Sequence, residues 1–270
     1  MTENFREYLK RKEKSENTID KYLRDVNAFM NWLGEREINY ENALLYKEHI
    51  KKSYAAVSVN SIISSLNCFF EFLNFKDFKL KTLKVQRSVF LSSEKELTKK
   101  DYEKLLSAAE GDKRLYYLIQ TICSSGIRVS ELKFITYEAI KKGFSIINNK
   151  GKMRKVFLPE KLCVMLKKYA KERKIKSGSI FVTRNNKPLD RSNVWKMLKA
   201  LCKKAGVSKE KVFPHNLRHL FARTYYKIQK DIVRLADILG HSNINTTRIY
   251  TMETGDIHKK QIQKLGLLRC

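Results

Sequence analysis

Several things are scarce in this sequence. Five cysteines occur in 270 residues (Cys68, Cys123, Cys163, Cys202 and Cys270), an odd number with no CxxC spacing. That argues against a disulfide framework and against a zinc ribbon. Cys68, Cys123 and Cys202 fall in apolar helical patterns and read as small core residues; Cys163 fits the same role, and Cys270 is terminal. Prolines number three, Pro159, Pro188 and Pro214, all in the second half. The first half is therefore free to be helical. No apolar run approaches the ~20 residues of a transmembrane helix. The opening MTENFREYLKRKEK lacks the apolar segment of a secretory signal, so a cytoplasmic chain with no membrane partner is expected. Acidic charge is also short, with 28 Asp+Glu against 56 Lys+Arg and a formal net charge of +28. Solubility asks only for a magnitude of ~2–8 in a small domain. The excess makes a polyanion the default partner, nucleic acid before an anionic membrane.

What is present reads as two domains. Ile19, Tyr22, Leu23, Val26, Phe29, Met30 and Leu33 recur at helical spacing, with Gly34 as a stop, and Val59, Ile62, Ile63, Leu66, Phe69, Phe70 and Leu73 repeat the pattern. A shorter helix over Ala43–Ile50 joins them. This predicts a small helical domain over 1–85. The helical period lapses in VQRSVFLSSEKE, giving a linker over 86–96. A second domain, 97–270, starts at LTKKDYEKLLSAAEG. There Thr98 caps with Asp101 three residues on, Leu97 and Tyr102 form a hydrophobic staple, and Gly111 supplies the stop. GFSIINNKGKMRKVFLP holds two short apolar runs around a basic tip, a predicted β-hairpin. SIFVT suggests a short edge strand. RSNVWKMLKALCKKAG reads as a helix capped by Ser192 and stopped by Gly206.

Four segments carry chemistry-bearing side chains. SSGIRVSEL places Arg128 just after a helix-ending glycine. NNKGKMRK places Lys150 at the hairpin tip. PHNLRHLFA holds His215 and Arg218, at i and i+3 on one helix face near the N–H groups of a proline-led helix start. LGHSNINTTRIY holds His241 and Tyr250. Singly, each has a bland reading: a capping histidine, a surface arginine, a packed tyrosine. His215 and His219 at i, i+4 also raise zinc. However, Arg218 lies between them and the glutamate of an HExxH motif is missing, so no metal is expected. Taken together, two arginines can grip non-bridging phosphate oxygens, histidines and a lysine can move protons, and a tyrosine can attack phosphorus. Metal-free phosphoryl transfer on DNA needs such a set.

The same four segments resemble the tyrosine recombinases of the phage-integrase family, which includes Xer-like simple recombinases. SGIRVSEL is similar to the family's first arginine box, PHNLRHLFA to its HxxR box, and LGHSNINTTRIYT to its His-to-Tyr box, in the family's order and spacing. The resemblance implies a mainly α two-domain fold with a small β-hairpin or sheet. A helical, SAM-like core-binding domain would precede a mixed α/β catalytic domain and its C-terminal tail. By position, Arg128 and Arg218 take the phosphate-binding places, Glu131 buttresses Arg128, and Lys150 is the hairpin lysine. His215 and His241 take the two histidine places, and Tyr250 is the nucleophile. The family often shows KGxKxR where this chain has KGKMRK, and Lys152 is the rival of Lys150. Lys152 and Arg154 on the hairpin, and Asn60 and Ser64 on the polar face of the 58–73 helix (with Ser61 and Ser65), are candidate DNA contacts.

The implied reaction is site-specific recombination. A tyrosine phenol of ordinary pKa near ~10 needs activation. His215 would accept its proton, Arg128 and Arg218 would stabilise the charge growing on phosphorus oxygens, and His241 would add a hydrogen bond. Lys150 would protonate the leaving 5′-oxygen. A 3′-phosphotyrosyl intermediate, strand exchange through a Holliday junction, and no metal, ATP or other cofactor follow from the resemblance. The implied partners are double-stranded DNA with short paired sites and sister subunits in a synaptic tetramer. The tail, through Ile257, Ile262, Leu265, Leu267 and Leu268, would dock on a neighbour. The chain starts almost at once with core-binding helices, which favours a simple recombinase acting in Xer-like resolution or in mobile-element integration and excision. Two other readings remain: DNA relaxation of the type IB topoisomerase kind, and a non-catalytic DNA-binding regulator on the same fold.

Overall fold

The computed structural model describes residues 1–84, 96–149, 152–250 and 263–264. The chain divides into two compact units, Met1–Ser88 and Val89–Cys270. Apart from Glu96, the expected linker lies outside the described residues, as does nearly all of the tail. No helix among the described residues is long and apolar enough to cross a membrane.

The first unit packs α1 (Thr2–Arg11), α2 (Glu16–Leu33), α3 (Tyr40–Ser53) and α4 (Ala56–Phe72). The apolar stripes of α2 and α4 converge: Ile19, Leu23, Val26, Phe29 and Leu33 meet Val59, Ile63, Leu66, Phe69 and Phe70 in one buried cluster. Its aromatic rings meet edge to face, Phe5 with Phe69 at 5.2 Å and Phe29 with Phe70 at 5.9 Å. The polar face of α4 differs from the sequence expectation. Ser65 is fully buried, and its hydroxyl donates to Asp25 at 2.7 Å beside the Lys21 ammonium. Asn60 turns its amide inward, accepting from Leu83 N at 2.7 Å and donating to Leu83 O at 2.9 Å. Asn67 does the same for Leu80, at 2.9 Å both ways. The spacing explains the pairing. Seven helical residues rise about 10.5 Å, and three extended residues span about 10 Å. The two asparagines thus clip the returning chain to α4. Ser64 stays exposed and donates to Asn60 O.

The second unit opens with α5 (Lys99–Ala109) and α6 (Lys113–Ser125), followed by a 3-10 turn over Val129–Phe134, α7 (Tyr137–Lys142) and the hairpin strands β1 (Phe144–Asn149) and β2 (Lys152–Phe157). Then come α8 (Glu160–Glu172), α9 (Arg191–Ala205), α10 (Pro214–Gln229), α11 (Ile232–Leu239) and two 3-10 turns, Ile244–Thr246 and Arg248–Tyr250. Thr98 and Asp101 form the expected capping box on α5. The strands pair antiparallel with Phe144 opposite Phe157 and Ile147 opposite Arg154. Alternation buries Ile147 and Val156 while Ile146, Met153 and Phe157 stay exposed.

Two expectations are corrected. The cap of α9 is Asp190, whose side chain accepts from Asn193 N at 2.6 Å, so the helix starts before Ser192. SIFVT forms no edge strand; the segment makes only isolated bridges, Thr136 with Ser179 and Val182 with Pro188. Ile180 and Phe181 are both buried in succession, which a one-faced strand does not allow, and Pro188 has no N–H for a longer ladder.

Candidate active site

The site grows from the ends of three helices. α6 stops at Gly126, which is left-handed at φ +64°, and a Cβ there would run into the Phe221 ring. The position therefore needs glycine twice over, for backbone and for space. The turn points Gly126 O at α10, where it accepts from Arg218 Nη1 at 2.8 Å. Arg128 then caps the 3-10 turn that carries Glu131. α10 begins with Pro214 at its first position, as the sequence suggested, and carries His215, Arg218 and His219. α11 ends at Gly240, also left-handed, and delivers His241.

Glu131 is the electrostatic hub. It is 1% exposed and faces three guanidiniums. Oε1 accepts from Arg128 Nη1 at 2.9 Å, while Oε2 accepts from Arg128 N at 2.7 Å and from Arg154 Nη2 at 2.6 Å. Arg218 Nη1 lies 3.9 Å from Oε2. Arg218 is 1% exposed and also donates to Leu239 O at 2.7 Å, while its Nε has no hydrogen-bond partner among the described residues. Burial and the neighbouring Arg128 draw its pKa down to about 10, against the pull of Glu131. Arg128 is the open member, with 34% of its side chain exposed.

The histidines are held neutral. His241 Nδ1 lies 2.9 Å from the buried Thr247 hydroxyl, and its Nε2 lies 3.1 Å from Arg218 Nη2. An arginine can only donate, so Nε2 is the acceptor and the ring proton sits on Nδ1. In this arrangement His241 Nε2 receives a hydrogen bond. Burial, then Arg218 and Arg128, lower its pKa to about 4. His215 is also lowered, by burial and by Arg218 and Arg128. His219, which the sequence reading set aside, lies between His215 (ring centroids 4.3 Å) and Tyr250 (5.1 Å, edge to face). Burial and His215 lower its pKa to about 3, and its Nε2 is buried without a partner among the described residues. Among those residues, no group of three or more His, Cys, Asp or Glu is placed to hold a metal ion.

Tyr250 is 5% exposed and packs with Ala222, Leu235 and Leu239. Its ring lies 6.5 Å from that of His241, nearly parallel. Burial raises the phenol pKa, and the charge and hydrogen bond of Arg218 oppose that rise. Arg128, Glu131, His215, Arg218, His241 and Tyr250 are thus brought together. Lys150 lies outside the described residues, and for Lys152 only the backbone is described. Arg154, expected on DNA, is instead inside the arginine–glutamate network. Thr247 and His219 were missed. His219 had a signal, its i+4 spacing from His215, whereas Thr247 had none.

Residues 95–255 match the model of the phage integrase family, and residues 2–76 match that of the phage integrase N-terminal SAM-like domain. The tyrosine recombinase XerA of Thermococcus kodakarensis is 32% identical over 277 residues, covering 98% of this chain and 95% of its own. A crystal structure of XerA recombinase aligns at TM-score 0.55 with 26% identity, over 99% of this chain and 98% of that one. A lambda integrase dimer bound to a core site shares the fold at TM-score 0.75 with 20% identity, over 94% of each chain. With its four segments folded into one arginine, histidine and tyrosine cluster and these matches over most of its length, the chain belongs to the phage integrase family of tyrosine recombinases.

Proposed function

We infer that the protein cuts and rejoins duplex DNA at short paired sites, with Tyr250 as the nucleophile. The observation that carries this reading is the packing of Tyr250 against Arg218 and His241, with Arg128 beside them. The Tyr250 oxygen attacks phosphorus and the phenolic proton passes to neutral His215. Arg128 and Arg218 take the charge that builds on the non-bridging oxygens. The hairpin lysine, Lys150 with Lys152 as its rival, protonates the departing 5′-oxygen. The products are a 3′-phosphotyrosyl bond and a 5′-hydroxyl. Attack by a partner strand's 5′-hydroxyl reverses the step and, repeated, resolves a Holliday junction. One ester replaces another, so no ATP is consumed, and the arginines supply the charge that a metal would otherwise provide.

Arg218 and Tyr250 are enclosed, so a DNA phosphate must take over bonds that Arg218 now makes to backbone oxygens and to His241. Losing Arg218 frees His241 Nε2, and the phosphate charge raises the imidazole pKa, turning His241 into a donor. The helical unit 1–85 serves as the core-binding domain and 97–270 as the catalytic domain. Four subunits assemble on two sites, in the cytoplasm. The tail docks on a neighbour, for which an apolar cleft of about 300 Å³ lined by Tyr102, Cys123, Leu220, Phe221, Tyr225 and Ile228 is a fitting acceptor. The cellular role is Xer-like resolution or mobile-element integration and excision. The test is strand exchange between two differently marked duplexes carrying a site recovered from host DNA, in EDTA. Recombinant products are expected. Relaxation of supercoils without exchange, or loss of activity in the chelator, contradicts this reading.

A further inference from the structure

A helix leaves its last carbonyls without intrahelical donors. At the end of α11 three consecutive carbonyls are taken by three arginines from three different elements. Arg154 donates to Ile238 O, Arg218 to Leu239 O at 2.7 Å, and Arg128 to Gly240 O at 3.4 Å. Cations are favoured there by the helix dipole. The same three guanidiniums converge on Glu131. Two of them are assigned to phosphate above; Arg154 has no such task.

Arg154 lies on the inward face of β2, opposite the buried Ile147 and next but one to the buried Val156. Its side chain is 14% exposed. One end of its fork donates to Glu131 Oε2 at 2.6 Å and the other to Ile238 O. Its Cδ fills the space where a Cβ on residue 240 would stand, and residue 240 is glycine at φ +64°. Both ends of the fork are therefore spent inside the protein. A rigid planar guanidinium can hold two acceptors at a fixed separation, which a lysine ammonium cannot do in the same way.

We propose that Arg154 is a positioning residue for strand cleavage: it locks β2 to Glu131 and to the α11 terminus preceding His241. Strand β2, the two phosphate arginines and the α11 terminus that leads into His241 then share one frame. The proposal rests on the recombinase reading and replaces the expectation that Arg154 is a DNA contact.

The test uses the full chain, a nicked site that traps the covalent adduct, and the variants Arg154→Lys and Arg154→Ala. The rate of adduct formation at saturating DNA, the final adduct amplitude, and DNA affinity against salt are read separately. For Arg154→Lys a cleavage rate about 100-fold lower is expected, the scale of loss from small misplacement of reacting groups. Amplitude, half-saturating DNA concentration and salt slope should stay near wild type. Ethylguanidinium at millimolar concentration should restore part of the Arg154→Ala rate, and ethylammonium should not. A merely structural role lowers amplitude and thermal stability while the surviving molecules cleave at the wild-type rate, which overturns the proposal. A phosphate contact reduces the salt slope by about 1 and leaves the saturated rate unchanged, which also overturns it. If the wild type forms no adduct, the recombinase reading itself fails.

Discussion

At the scale of the residue, the site is built by desolvation working against charge. Three arginines share one buried carboxylate, and three histidines near them are pushed toward neutrality. Depressed histidine pKa values have a direct consequence for stability. In the unfolded chain these rings titrate near ~6.5. In the folded chain His241 titrates at about 4 and His219 at about 3. Between those values the unfolded state binds more protons, so the contribution to stability is complete above pH ~6.5 and is lost as pH falls toward the folded values. Lowering the pH from 7.5 to 5.0 should cost on the order of 2 kcal/mol through His219. His219→Gln should flatten that part of the profile. Urea midpoints across the range check it; a wild-type midpoint independent of pH contradicts the buried neutral ring.

The residues the sequence made visible are those with a fixed local setting. Arg128 follows a helix-ending glycine, His215 and Arg218 share a helix face after Pro214, and His241 and Tyr250 flank a turn. Arg154 could have been read as inward from its alternation with Val156 and Leu158, both buried. Its basic surroundings suggested DNA instead. The partner that decides its role, Glu131, lies 23 positions away, beyond any local pattern. Thr247 was silent for a different reason: it lies only six residues from His241, but their contact depends on the irregular turn between them, which no helical or strand period marks.

At the scale of the element, helix termini do the positioning. Gly126 ends α6, lets Phe221 pack against its Cα, and aims its carbonyl at Arg218. Gly126→Ala should cost at least about 1–2 kcal/mol from the left-handed backbone alone. The Phe221 clash adds to that and displaces an acceptor of Arg218, so cleavage should fall together with stability. Thermal melts alongside trapping of the covalent adduct check this; wild-type stability would contradict the assigned geometry. Element ends also show how far local signals reach. The Thr98–Asp101 box was readable because its partners are three residues apart. The α9 cap shifted by two residues because Asp190 and Ser192 are both competent caps. The supposed edge strand failed because burial of Ile180 and Phe181 on both sides is a tertiary fact. α4 showed its apolar stripe plainly. Its serines and asparagines read as surface, yet Asn60 and Asn67 clip the returning chain and Ser65 joins the Asp25–Lys21 pair.

At the scale of the whole molecule, the net charge of +28 sets the terms of DNA binding. Each neutralised phosphate contributes about −0.9 to the slope of log affinity against log salt. Six or more contacts would lower affinity by ~10³ between 50 and 200 mM salt. A slope near zero would contradict a phosphate-dominated interface. Whether Tyr250 becomes covalently joined to a 3′-phosphate of DNA can be read directly. Wild type and Tyr250→Phe are incubated with a nicked site duplex, and protein–DNA adducts are isolated under denaturing conditions and mapped by peptide mass. A wild-type adduct on Tyr250 with a free 5′-hydroxyl is expected, and for Tyr250→Phe DNA binding without any adduct. An adduct that persists in Tyr250→Phe, or that maps to another residue, would contradict Tyr250 as the nucleophile.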